Sequence, residues 1–231
     1  MGLSGNFISA DDHIVEARDT WTRRMAKSKW GDRIPRVETG RDGADHWIVD
    51  GKSLPLAGRG SVAACLPDRT AEVQRWENLP GATYTPAERL KAMDSDGVAC
   101  SVLYPMIAGV AGESFGAIAD AELALACVQA YNDYVIEEWA SASNRFIPQC
   151  IVPLASTQTI VSEIHRAVAK GHRGVIFPPF RRWSAPTCPL LMIRVTATCG
   201  ARVRNSASRC AFMPVPRINL ECRRTPGTIP H

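Results

Sequence analysis

The sequence predicts an α/β protein in which four parallel strands alternate with helices. Short apolar runs that suit buried strands lie near residues 7–13, 98–103, 147–152 and 173–177. The segments between them place apolar residues three and four positions apart, as amphipathic helices do. Strands that alternate with helices are typical of a parallel sheet. Four such units make either half of an eight-stranded barrel or a small doubly wound sheet. No glycine-rich phosphate loop follows the first strand, so a doubly wound sheet that binds a dinucleotide is the weaker interpretation.

The first strand, Phe7 to His13, ends in the polar residues Asp11-Asp12-His13. Because side chains alternate along a strand, Asp11 and His13 should point to one side and Asp12 to the other. Carboxylates and imidazoles are ligands of divalent metals, so the pair predicts half of a metal site. A polar end of the strand that faces water fits the same spacing. The spacing alone does not distinguish this alternative from a metal site.

The next segment contains one predicted helix and an insertion. The helix includes Trp21 and Trp30. Residues 36–83, which are rich in glycine and proline, form a lid or insertion. Within it, Trp47-Ile48-Val49 followed by Asp50-Gly51 predicts one arm of a hairpin and its turn.

The second unit starts with a helix whose two ends are marked in the sequence. Thr85 is the predicted N-cap, Pro86 the first helical residue, and Glu88 is placed to complete a capping box. The helix stops at Asp96-Gly97. Val98 to Leu103 forms the second strand, with apolar or small residues throughout, as expected for a strand buried on both faces.

Two further units complete the predicted sheet. A long helix is expected over 118–142, with a gap in its apolar spacing at Asn132. The third strand spans Phe146 to Val152. A helix over 156–170 follows, with Gly171 in its C′ position, and then a strand at 173–177. The predicted apolar faces consist of Ile118, Ala121, Leu125, Val128, Val135 and Trp139 for the long helix, and Ile160, Ile164 and Val168 for the shorter one.

Several blocks of sequence, in the same order, resemble the amidohydrolase-related family, which includes decarboxylases similar to aminocarboxymuconate semialdehyde decarboxylase. The blocks are Asp11-x-His13-x-x-Glu16, residues 30–37 (WGDRIPRV), residues 89–98 (RLKAMDSDGV), residues 102–105 (VLYP), Asn132 through Pro153, and Gly171 to Pro178. The resemblance covers about residues 7–180 and stops near Phe180-Arg181.

The resemblance implies a metal-dependent TIM barrel, (β/α)₈, of the hydrolase type, of which the chain carries about the first four βα units. It implies Asp11 and His13 as first-strand ligands of Zn²⁺ or Mn²⁺. The remaining ligands, a His at strand five and an Asp at strand eight, belong to the second half. Members of the family hydrolyse or decarboxylate small, often aromatic, carboxylates, and the metal serves as a Lewis acid or activates a water. Ala17 stands where the family usually has proline.

Tyr104 and His46 are weaker candidates, both for substrate binding. Tyr104 leaves the second strand at the end where barrel enzymes hold their sites, although a buried aromatic with its hydroxyl at the rim fits equally well. His46 lies in the insertion beside Trp47, where a solvated loop is the alternative. His165, on a helix, and His172, just past its end, are predicted to be surface residues rather than ligands.

Residues 182–231 differ in composition from the rest of the chain. They hold eight arginines, four cysteines and six prolines against one glutamate and no lysine, whereas the net charge of the whole chain is +4. Neither helical nor strand periodicity is sustained, so an irregular tail is predicted. A nucleic-acid-binding arm is one interpretation. A change of reading frame is the other, and it fits better.

The change of frame can be tested against the genetic code. When each codon's third base is joined to the first two bases of the next codon, Met192-Ile193 must encode Asp and Met213-Pro214 must encode Ala. With the remaining third bases free, the stretch can read D-P-R-Y-G-H-L-W-R-A-C-A-E-L-G-V-P-L-C-I-H-A-G-A. This resembles the family's helix four and strand five, and it carries a His at the missing ligand position. The prediction is therefore half a barrel at 1–181 and a frameshifted tail at 182–231.

The predicted function is metal-dependent hydrolysis or non-oxidative decarboxylation of a small carboxylate. With two ligands, the chain should hold Zn²⁺ or Mn²⁺ weakly and be inactive as written. The alternative is a non-catalytic truncated product, or a subunit that pairs with an intact paralogue, and a homo-oligomer stays open. No run of eighteen apolar residues predicts a membrane span. Eight cysteines without a secretory pattern favour reduced thiols and a cytoplasmic protein.

Overall fold

A computed structural model describes residues 7–57, 73–109 and 111–176, and the backbone of two further strands at 193–197 and 218–222. The strands are β1 (Phe7–His13), β2 (Arg36–Thr39), β3 (Asp45–Val49), β4 (Lys52–Pro55), β5 (Val98–Tyr104), β6 (Phe146–Ile151), β7 (Gly174–Ile176), β8 (Ile193–Ala197) and β9 (Ile218–Cys222). The α-helices are α1 (Lys27–Trp30), α2 (Gly81–Tyr84), α3 (Pro86–Asp96), α4 (Glu113–Gly116), α5 (Ala121–Tyr134) and α6 (Thr157–Lys170).

A four-stranded parallel sheet forms the centre of the described part of the chain. Its strands are neighbours in the order β1-β5-β6-β7, and each adjacent pair is parallel. The predicted number, direction and spatial order of the strands are therefore confirmed. The fold is α/β with a curled half-barrel sheet, as in part of a TIM barrel. That this sheet is the first half of an eight-stranded barrel stays a prediction.

The helices that join these strands begin and end for local reasons. Thr85 occupies the N-cap of α3 and Gly97 ends that helix in the left-handed conformation, with φ of 70°, as predicted. The predicted capping box is wrong, because the Thr85 side chain makes no capping hydrogen bond and Glu88 instead pairs with Lys91 at 2.6 Å. Gly171 ends α6 as expected.

The helix predicted through Trp21 is wrong over most of its length. Only Lys27–Trp30 is α-helical, and residues 18–24 form turns. Trp21 is fully buried, and its indole Nε1 donates to the carbonyl of Cys127 at 3.0 Å. The position of this indole therefore follows a contact with α5, not the periodicity of its own segment.

The long helix differs from its prediction in length, whereas Val128, Val135 and Trp139 of its predicted apolar face are buried as expected. Asp120 caps α5 by accepting from the N–H groups of Glu122 and Leu123, and the chain continues after Tyr134 as a π-helix over Val135–Ala140. Ala121 is exposed, contrary to the prediction. The side chains that α5 buries are Leu123, Ala124, Cys127, Val128, Ala130, Tyr131, Asn132 and Tyr134. No helix of the described residues is long and apolar enough to cross a membrane.

The insertion contains a three-stranded antiparallel sheet in the order β2-β3-β4. The predicted hairpin turn is confirmed, because Asp50 and Gly51 link β3 to β4 with φ of 46° and 77°. Trp47 of β3 is fully buried and meets Trp21 edge to face, with ring centroids 5.2 Å apart. The described part of the insertion thus shares the main core, whereas residues 58–72 of the predicted lid lie outside the described residues.

Two short strands fall within the tail that was predicted to be irregular. Strands β8 and β9 form an antiparallel ladder with Ile193 opposite Cys222 and Ala197 opposite Ile218. Both segments contain β-branched residues, which favour extended backbone. The predicted frameshift, and the rest of 182–231, lie outside the described residues.

Candidate functional site

Asp11 and His13 lie together where β1 ends. His13 Nε2 is 3.4 Å from Asp11 Oδ1. Asp12 points to the other side of the strand, where it accepts from Arg89 on α3 and from the hydroxyl of Ser101 on β5. These contacts agree with the predicted alternation of side chains, and the pairing of β1 with β5 shifts its register between Ser9 and Asp12.

The imidazole of His13 is held in one orientation by a backbone carbonyl. Its Nδ1 lies 2.8 Å from the carbonyl oxygen of Pro105. A carbonyl can only accept, so Nδ1 carries the proton and Nε2 of the neutral ring has a free lone pair. A ligating histidine is oriented in the same way in metal sites, where its second nitrogen donates to a carbonyl or carboxylate.

The spacing of the two donor atoms fits a metal ion. Two ligand atoms, each ~2.1 Å from a tetrahedral ion, stand ~3.4 Å apart, which matches the distance between His13 Nε2 and Asp11 Oδ1. The Asp11 side chain is 81% exposed, so its carboxylate is free to adjust. No group of three His, Cys, Asp or Glu side chains within the described ranges could hold a metal. The residues present therefore fit two positions of such a site.

Glu16, three residues beyond His13, is a fully buried carboxylate without a basic partner among its hydrogen bonds in the described structure. It accepts from the backbone N–H groups of Met106, Ile107 and Ala108, which follow β5. Burial raises the pKa of the Glu16 carboxyl, and the hydrogen bonds from these N–H groups oppose that rise. Its role was not predicted; an acid directly after the two buried aliphatic residues Ile14 and Val15 was the available signal.

Arg89 is a second residue whose role was not predicted. Its guanidinium pairs with Asp12, donates from Nη2 to the carbonyl of His13 at 3.1 Å, and donates from Nε to the carbonyl of Ala82. The side chain is only 11% exposed. An arginine on a helix is ordinarily solvated, so no local pattern distinguishes it.

Tyr104 lies beside the Asp11–His13 pair and His46 does not contact it. Tyr104 is opposite His13 in the β1–β5 ladder, with ring centroids 5.8 Å apart, and is largely buried. His46 belongs to β3, and its Nε2 lies 3.0 Å from Asp42 Oδ2 in the turn that joins β2 to β3. His165 is exposed, as predicted.

The prediction of a surface position for His172 is wrong. The residue is 3% exposed, and its Nε2 donates to the carbonyl of Asn132 at 2.9 Å. This carbonyl lies near the junction between α5 and the π-helix that follows it. His172 lies between α6 and β7, and its partner Asn132 is 40 residues away along the chain, so no local pattern indicated the burial.

Two of the three described cysteines are buried thiols that offer no activated nucleophile. Cys100, Cys127 and Cys150 are free thiols. Burial raises the pKa of Cys127 and of Cys150 to about 12, so both stay protonated at neutral pH.

The fold has a solved counterpart. No family model and no curated protein matches the sequence. A crystal structure of an amidohydrolase from Mycobacterium avium subsp. paratuberculosis K-10 superimposes with a TM-score of 0.56 at 22% sequence identity. The match covers 75% of this chain and 50% of that one. The chain therefore spans half the length of this protein, and the likeness is one of fold.

Proposed function

We propose that the chain carries the first half of a metal-dependent site for hydrolysis or non-oxidative decarboxylation of a small carboxylate, with Asp11 and His13 as ligands of Zn²⁺ or Mn²⁺. The observation that carries the proposal is the 3.4 Å spacing of His13 Nε2 and Asp11 Oδ1, with His13 Nδ1 bonded to Pro105. The amidohydrolase-like fold supports it, because barrel enzymes hold their sites at the C-terminal ends of the strands.

Each residue has a distinct part in this proposal. His13 offers a neutral nitrogen whose direction is set by Pro105, and Asp11 offers an exposed carboxylate. Arg89 holds the backbone of His13 in place. Tyr104 borders the pair on the neighbouring strand and is the candidate for contact with an aromatic substrate. A bound metal would supply Lewis acidity and an activated water.

Two ligands hold a divalent ion weakly, because catalytic sites use about three protein ligands. We therefore expect the chain as written, once loaded with Zn²⁺ or Mn²⁺ and then dialysed, to retain well under one ion per chain. It should also turn over no carboxylate. A version with the frame restored between the codons for Arg181 and Ala185 should retain about one ion per chain. Asp11→Ala and His13→Ala in that version should release the ion, whereas His165→Ala, which alters an exposed histidine, should not.

Two results would contradict the proposal. Equal, stoichiometric metal in both versions would mean that residues 182–231 supply ligands of their own. Metal that survives both Asp11→Ala and His13→Ala would remove these residues from the site.

A non-catalytic role is the second candidate, as a truncated product or as a subunit that pairs with an intact paralogue. It is favoured because no third His, Cys, Asp or Glu among the described residues joins Asp11 and His13 in a group that could hold a metal. Resequencing the gene across the codons for Arg181 to Ala185 separates the two. If resequencing confirms the sequence of residues 181–185 as printed, with no change of frame, the non-catalytic role is favoured.

A further inference from the structure

Glu16 is buried close to the Asp11–His13 pair but touches neither side chain. We infer that Glu16 is a positioning residue that sets the tautomer and direction of the His13 imidazole by anchoring the segment Pro105–Ala108. The inference rests on the proposed function in one respect, namely that His13 binds the metal through Nε2 in this orientation of the ring.

Glu16 binds the segment that follows β5 through several hydrogen bonds. Oε1 accepts from the N–H groups of Met106, Ile107 and Ala108 at 3.2, 3.2 and 3.3 Å, and Oε2 accepts from Ile107 at 2.9 Å. Successive N–H groups that converge in this way form an anion-binding concavity. Because Glu16 is fully buried, no water can replace the carboxylate without a rearrangement.

The same segment also holds the imidazole of His13. Pro105 directly precedes the three anchored N–H groups, and its carbonyl oxygen accepts a hydrogen bond from His13 Nδ1, with 2.8 Å between the two atoms. On its other side, the carbonyl of Tyr104 accepts from the N–H of Ile14 at 3.0 Å. The Pro105 carbonyl is thus fixed between a strand end and the Glu16 anchor. When the anchor is lost, one of these two restraints is lost.

The consequence for His13 follows from its two nitrogens. A proton held on Nδ1 leaves the lone pair on Nε2, the atom that faces Asp11. If Pro105 moves away, a neutral imidazole is free to carry its proton on Nε2, and that atom then cannot bind a cation. Glu16 therefore acts on ligand chemistry through a carbonyl, without touching the ring.

The test measures the tautomer directly. The full chain, labelled with ¹⁵N and free of metal, is studied by long-range ¹H–¹⁵N spectroscopy at pH 8, where an ordinary imidazole is neutral. His13→Gln assigns the signal. The Nδ1–H tautomer should predominate in the parent chain. Glu16→Gln, which keeps the shape but replaces one acceptor oxygen by a donor, should give a mixture, and the amide of Ile107 should exchange about tenfold faster.

Glu163→Gln is the matched control. Glu163 is also a fully buried carboxylate, and it accepts from Asn132 and Arg166, on α5 and α6. Its loss should destabilise the fold to a similar extent and leave the His13 tautomer unchanged. Near-UV circular dichroism establishes that each variant is folded.

Two outcomes overturn the inference. One is an unchanged Nδ1–H tautomer in folded Glu16→Gln. The other is an equal change of tautomer in Glu163→Gln, which would mean that any loss of buried charge loosens His13. Because the spectra are recorded without metal, a parent chain that binds no ion leaves this result intact. Conversely, a failed tautomer test leaves the metal-binding result intact.

Discussion

His172 is a buried imidazole whose protonation opposes folding. Nε2 donates to the carbonyl of Asn132, and Nδ1 is buried without a partner in the described structure. Burial lowers the pKa of His172 from 6.5 to about 4, although Glu163 and Asp133 act in the opposite direction and Arg166 adds to the fall. The folded chain therefore keeps this ring neutral at pH values where the unfolded chain protonates it.

Stability should fall as the pH falls from about 6.5 to about 4. The folded pKa lies below the unfolded one, so the unfolded chain binds more protons in this window. The contribution is fully present above about pH 6.5, and about 3 kcal/mol of it is lost by pH 4. Urea unfolding at several pH values measures this.

His172→Gln, which keeps an N–H donor, should remove this part of the pH dependence, and His165→Gln, at an exposed position, should retain it. An identical pH dependence in the parent chain and in His172→Gln would show that the ring does not titrate in this window. The comparison between variants is needed because the carboxylates also titrate there.

At the scale of elements, Asn132 joins α5 to the end of β6. It is fully buried, donates from Nδ2 to the carbonyl of Ile151 at 3.1 Å, and accepts at Oδ1 from the N–H of the same residue at 3.0 Å. Nδ2 also donates to Glu163 on α6 at 2.7 Å. The apolar spacing of the helix is therefore interrupted at Asn132 because this side chain makes a polar link between two helices and a strand.

Asn132→Ala should lower the free energy of unfolding by about 3 kcal/mol, because it leaves the N–H and carbonyl of Ile151 buried without partners. Asn78→Ala, at an exposed asparagine of the turn Trp76–Asn78, should change it by less than about 0.5 kcal/mol. Chemical denaturation gives both values. A loss for Asn132→Ala no larger than that of Asn78→Ala would refute the proposed link.

At the scale of the whole molecule, β1 is an edge strand of the four-stranded sheet in the described part of the chain. It exposes two large apolar side chains, Phe7 at 51% and Ile8 at 65%. An exposed apolar edge strand is a site of pairing with other chains, and charged side chains suppress such pairing. Self-association through β1 is the expected behaviour.

Ile8→Lys should therefore reduce concentration-dependent self-association without lowering stability, because the side chain is already exposed. Ala169→Lys, which adds the same charge on the exposed face of α6, should leave association unchanged. Sedimentation velocity over a range of concentrations measures both. An equal fall in association in the two variants would attribute the effect to net charge instead of the edge.

Much of the sheet and part of the site could be predicted from local patterns. The positions of the strands, the ends of α3 at Thr85 and Gly97 and the turn at Asp50-Gly51 each follow from a few neighbouring residues. The errors share a different cause. The predicted helix at Trp21 and the predicted exposure of His172 both failed where a side chain meets another part of the chain.

The sequence by itself determined that Asp11 and His13 lie on one side of a strand end and Asp12 on the other, because the period of two is a property of the strand alone. Only the tertiary structure decided which nitrogen of His13 carries the proton, since Pro105 lies 92 residues away along the chain. The same is true of Glu16, which binds amides 90 to 92 residues away, and of Arg89, which reaches back 76 residues to the His13 carbonyl. Pairing β1 with β5 brings these groups together, and no local periodicity encodes their contacts.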